Sequence, residues 1–131
     1  MLRILIAALL ILAGHFALSV YNPGPKATII WPWGENSQAI IAGIGGLPKQ
    51  GGLASMLLGT GATLAFVAAF LSLFGWFVPA TWFQPLVIVG SAASLVLFTL
   101  FFSPIALVPM AVNAVLLIGV LSLHWTPATV Q

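Results

Sequence analysis

"LASMLLGTGATLAFVAAFLSLFGWF", residues 53–77, runs the length of a membrane crossing without one charged side chain. A helix needs about 20 apolar residues to cross the roughly 30 Å hydrocarbon core of a bilayer, and this stretch is too long and too uniformly apolar for a strand. Its small residues carry a second message. In lipid there is no hydrophobic drive between helices, so close backbone approach must supply the contact energy. Ser55, Gly59 and Thr63 recur at four-residue spacing, as do Gly61, Ala65 and Ala69. The two series mark two packing sides and place this helix at the centre of the fold.

Towards the C-terminus, "VPATWFQP" carries two prolines that no helix interior accommodates and closes a short link. A third helix is expected over about 86–102, with Gly90 and Ser94 as its small contact residues. After Ser103 and Pro104 a fourth covers about 105–125, and Pro109 in or near its first turn bends its start. "VLFTLFF" of the third helix and "VLLIGVL" of the fourth suit lipid or a neighbouring subunit. Towards the N-terminus, Arg3 precedes an apolar run over about 4–20. The same opening, "MLR", the apolar run and "ALS", also has the form of a secretory signal; we take it as a retained spanning helix. Residues 21–52 hold seven of the thirteen glycines and four of the nine prolines, which excludes a regular spanning helix. Within them, 35–47 could form one short interfacial or re-entrant turn capped by Asn36 or Ser37. The expected fold is all-α and polytopic: a single transmembrane domain over 1–131, four transmembrane helices in an antiparallel bundle, and one long first loop at 21–52.

Composition agrees. The chain is 62% hydrophobic and 3% charged, against about one quarter charged for soluble domains. Arg3, Lys26 and Lys49 are scattered and form no basic stripe, so nucleic acid is not an expected partner. Without cysteine there are no disulfides, thiolate metal sites or thiol redox chemistry. Glu35 is the only acid, so paired carboxylates, a serine–histidine–aspartate set and a metal cluster are all missing. "GIGG" and "GTG" lack the lysine and the strand-to-helix setting of a phosphate loop. No catalytic residue is expected, and the chain is not expected to be an enzyme.

The tryptophans mark the membrane edges, where indole rings prefer to lie. Trp76, Trp82 and Trp125 share the N-terminal side; Trp31 and Trp33 mark the opposite one and pin the loop to the interface. Arg3 and the first helix place both termini in the cytoplasm, in what we expect to be a bacterial inner (plasma) membrane.

Polar groups at membrane depth cost free energy unless paired, and they often mark function. His15, Thr60, Thr63, Ser94 and Asn113 fall at similar levels of the four helices and are expected to form one intramembrane layer. That layer is either interhelical glue or a small polar site for a quinone carbonyl, a lipid headgroup, or a proton passing through His15. His124 lies near the opposite face and is no partner for His15. A second candidate site is the loop around Trp31, Trp33 and Glu35.

An arginine at the start of helix one, a longer first connection rich in glycine and proline, a helix two rich in small residues and a closing hairpin together resemble the DoxX-like group of small four-helix membrane proteins. Arg3 is the positional match, with Lys26 and Glu35 as displaced candidates for the group's lysine and acid. The resemblance implies a membrane subunit linked to quinone-coupled oxidoreductase complexes. The expected function is therefore a non-catalytic accessory or assembly subunit of a larger respiratory or photosynthetic membrane complex, binding lipid, quinone or pigment. The alternative is a small carrier or channel acting as a homo-oligomer, since four short helices enclose little volume.

Overall fold

Four helices, each long and apolar enough to cross a membrane, account for most of the chain. The computed structural model describes residues 1–131, and its helices are α1 (Leu2–Leu18), α2 (Leu53–Phe74), α3 (Phe83–Leu100) and α4 (Leu107–Leu121). Single turns of 3-10 helix extend α1 through Ser19–Tyr21 and lead into α3 at Ala80–Trp82 and α4 at Pro104–Ala106. The all-α, four-helix expectation holds. Packed neighbours follow chain order around the bundle, with α2 most extensively engaged, against both α1 and α3.

The helix ends differ from the sequence reading for local reasons. α2 stops at Phe74 and not Phe77 because Gly75 adopts φ +70°. Its N–H donates to the Ser72 carbonyl, and that of Trp76 to the Leu71 carbonyl at 2.8 Å, the paired closure that a left-handed glycine makes possible. α3 begins before residue 86, since Pro85 falls in the first turn, where no N–H is needed. It ends at Leu100, short of Phe102. α4 ends at Leu121, well before Trp125, because the tail reverses: the Trp125 N–H donates to the Gly119 carbonyl at 2.9 Å and Val130 is buried in the bundle core. No helix forms over 35–47; the loop's only helical turn is Pro48–Gln50.

The packing face of α2 is also narrower than its two small-residue series implied. Ser55, Gly59, Ala62, Ala65, Phe66, Ala69 and Ser72 are buried, whereas Gly61 is exposed and a Cβ there would meet nothing. A Cβ on Gly59 would stand 2.7 Å from Val20 and 3.1 Å from the Ala17 carbonyl, so this glycine sets the approach of α1. On the other side, a Cβ on Gly90 of α3 would lie 3.0 Å from the Phe66 ring.

On the N-terminal face, the Arg3 guanidinium donates to the Leu73 carbonyl and lies 4.9 Å from the centre of the Phe74 ring. A cation is favoured at the negative end of a helix, so Arg3 closes α2. On the opposite face the 21–52 loop covers the bundle. Its first part doubles back on itself, with the Gly24 N–H donating to the Trp33 carbonyl at 3.1 Å and that of Glu35 to the Gly24 carbonyl at 2.8 Å. Trp33 is buried and stacks on Phe98 of α3, with 4.6 Å between ring centres. It is therefore an inward plug among Phe16, Val20, Leu47 and Phe101 and not the interfacial anchor expected of it. Trp76 and Trp82, both about half exposed, do occupy the rim.

Candidate functional site

The five polar residues expected in one layer separate into two groups on opposite sides of the bundle. On the α3–α4 side, the Asn113 amide donates to Ser94 Oγ at 3.0 Å and to the Pro109 carbonyl at 2.7 Å, with all three residues buried. Asn113 Oδ1 has no partner. This pair joins two helices, as interhelical hydrogen bonds do in apolar surroundings; neither residue lines a cavity with His15.

On the α1–α2 side, His15, Thr60 and Thr63 come together with a residue that sequence reasoning missed. Tyr21, the chain's only tyrosine, places its hydroxyl 2.5 Å from Thr60 Oγ1 and donates to the Met56 carbonyl at 3.3 Å. Its position at the end of helix one, opposite the first half of an antiparallel helix two, was the available signal. Thr63 donates to the Gly59 carbonyl of its own helix at 2.8 Å and towards Gly14 of α1 at 3.3 Å.

His15 stands six residues before Tyr21, about 9 Å along the helix at roughly 1.5 Å per residue. The loop reaches down to it. Thr28 and Trp31 close a tight turn, the Thr28 N–H donating to the Trp31 carbonyl at 2.7 Å. That turn brings the Ile30 carbonyl within 3.1 Å of His15 Nε2 and the Trp31 ring within 5.0 Å of the imidazole. Ile29 and Ile30 project outward.

Two hollows meet at His15. A groove of about 300 Å³ between α1 and α2 is floored by Gly14 and walled by Leu10, Ile11, Phe66, Val67 and Phe70, with His15 and Thr63 as its polar side chains. A second, of about 380 Å³, lies on the loop side and is lined by His15, Leu18, Tyr21, Asn22 and Trp31. The arrangement suits an elongated amphipathic molecule, with an apolar wall for its tail and convergent polar groups at one end.

The structure does not bring the loop trio together. Trp31 belongs to the His15 hollow, Trp33 is buried against Phe98, and exposed Glu35 lines a separate recess with Lys49 and Gln50. No group of three or more histidines and acids is placed to hold a metal ion. Comparison with protein-family models, curated proteins and solved structures returns no match to this chain.

Proposed function

We propose that the chain is a non-catalytic integral membrane protein, DoxX-like in architecture. In this reading it is an accessory or assembly subunit of a larger respiratory or photosynthetic complex in a bacterial inner membrane, with both termini cytoplasmic. It holds a lipid, quinone or pigment in the α1–α2 groove against a partner subunit or a second copy of itself. The observation that carries the reading is the groove: an apolar channel on the outside of the bundle, open along its side, whose polar end is built from two helices and the loop. A ligand there touches the protein on one side and leaves its other side for a neighbour.

The division of the polar residues supports holding over transport. A carrier or channel needs a continuous polar track, whereas Asn113 and Ser94 are separated from the His15 group by the apolar core of the bundle. Native mass spectrometry after mild-detergent extraction tests the proposal. A homo-oligomer or larger assembly that retains a bound lipid, quinone or pigment is expected, and a ligand-free monomer would overturn it.

A further inference from the structure

The polar atoms of the α1–α2 groove share one property, which selects among its possible ligands. A backbone carbonyl only accepts, so the hydrogen bond between His15 Nε2 and Ile30 requires the proton of the neutral imidazole to sit on Nε2. Nδ1 is then a free lone pair. Thr63 has a single hydroxyl proton, and it is directed at the Gly59 and Gly14 carbonyls; what Thr63 offers the groove is its remaining lone pairs. Within the α1–α2 groove itself, His15 and Thr63 therefore present acceptors and no free donor, while the indole N–H of Trp31 and the Asn22 amide belong to the loop-side hollow. None of the four charged residues lines the groove.

That pattern rejects most headgroups. An ester or ketone carbonyl would set acceptor against acceptor. A phosphate would surrender its hydration to face lone pairs, a large cost for a buried charge. A hydroxyl group satisfies the site directly. The position of the site favours the same chemistry, because His15 lies about 9 Å before Tyr21, where the turn that extends α1 ends, at roughly 1.5 Å per residue, inward of the level where charged headgroups find water. From His15 the apolar wall runs through Leu10 and Phe70 towards the far side of the bundle, so a head at His15 directs its tail along the membrane normal.

We propose that the α1–α2 groove binds a neutral lipid whose head is a hydroxyl donor, the O–H given to His15 Nδ1 or Thr63 Oγ1 and the tail lying against Leu10, Ile11, Phe66, Val67 and Phe70. This rests on the groove being the ligand site proposed above. Two kinds of membrane molecule carry the chemistry, diacylglycerol and prenylated hydroquinone.

Each has a partner of nearly the same shape without the donor: O-acetylated diacylglycerol for the first and the oxidised quinone for the second. Binding of these four to the full-length protein in phosphatidylcholine nanodiscs separates the cases. The hydroxyl form of at least one pair is expected to bind about tenfold more tightly than its capped or oxidised partner, the effect of one hydrogen bond in an apolar site. A preference within the first pair identifies a glycerolipid and one within the second a hydroquinone. Thr63→Val, which keeps the side-chain shape, or His15→Phe should erase the preference, according to which of the two accepts the hydroxyl; Asn113→Leu should keep it, and a preference that survives both of the first two variants would overturn the proposal. Equal binding within both pairs would overturn the hydroxyl proposal and leave the groove as a general lipid site. Binding of none of the four would also overturn it, and would remove the ligand reading too if the extracted protein carries no lipid, quinone or pigment.

Discussion

Gly59 and Gly61 lie two residues apart on α2, about 200° around the helix at roughly 100° per residue, and meet opposite surroundings. A side chain on Gly59 would strike Val20 and the Ala17 carbonyl, while one on Gly61 would enter open space. Gly59→Leu is therefore expected to lower stability in detergent by about 1–3 kcal/mol, the usual cost of overpacking, and Gly61→Leu to leave the melting temperature nearly unchanged. Equal losses in a thermal melt would mean that Gly61 also faces a helix. Asn113 is a milder case. Its amide bonds Ser94 and Pro109, but its Oδ1 is buried without a partner, so the gain and the desolvation cost oppose each other. Asn113→Leu should change stability by about 0.6 kcal/mol or less, the average for such hydrogen bonds between membrane helices, and leave any retained ligand in place; loss of the ligand would put Asn113 in the site. The sequence made both small-residue series legible as contacts, one towards α1 and one towards α3, and of their six members only Gly61 faces outward. It did not mark Gly61 as the exception, because lipid-facing positions are as apolar as packed ones and no polar face marks the outside of the helix. The same ambiguity merged His15, Thr60 and Thr63 with Ser94 and Asn113: depth along each helix is legible from residue number, but rotation about its axis is not.

Among the elements, the helices were the most legible and the 21–52 loop the least. Length and apolarity fix a spanning helix, and errors at its ends came from local chemistry such as the Gly75 closure of α2. The loop has no repeating pattern to read. It is held by single anchors: Trp33 on Phe98, Ile30 on His15, and the Ile40 N–H donating to the last carbonyl of α3 at 2.7 Å. The tryptophan carries most of this. Its ring fills the space among Phe16, Val20, Leu47 and Phe101, yet its indole N–H is buried without an acceptor. An unpaired buried donor contributes cost and no stability. Trp33→Phe should thus be tolerated within about 1 kcal/mol, keeping the stacked ring and removing the orphan donor. Trp33→Ala should lose about 3 kcal/mol or more, as large-to-small changes at buried aromatics do. Hydrogen exchange locates the damage: fast exchange confined to residues 22–47 in the alanine variant is expected, and unchanged protection there would show that the loop is held without Trp33.

For the whole molecule, the number of crossings decides which faces the loop and the tail occupy. Arg3 and the ends of α2 and α4 lie together, with Trp76 and Trp82 on the rim. The loop, the start of α2 and the end of α3 lie at the other end. Residues 36 and 81 are separated by α2 alone, so a single spanning segment between them must put them on opposite sides of a membrane. Both side chains are exposed, and the chain has no cysteine of its own, so an introduced thiol is the only reactive one. In sealed inverted vesicles, Thr81→Cys should resist a membrane-impermeant maleimide added outside if the N-terminal face is extracytoplasmic, and react if it is cytoplasmic. Asn36→Cys should behave oppositely. The proposed orientation, led by Arg3 and the first helix, requires Thr81→Cys to react in inverted vesicles and Asn36→Cys to react in right-side-out ones. Exchange of the two results would reverse the orientation and keep the fold. Labelling of both positions from one side would remove α2 as a crossing and, with it, the four-span bundle.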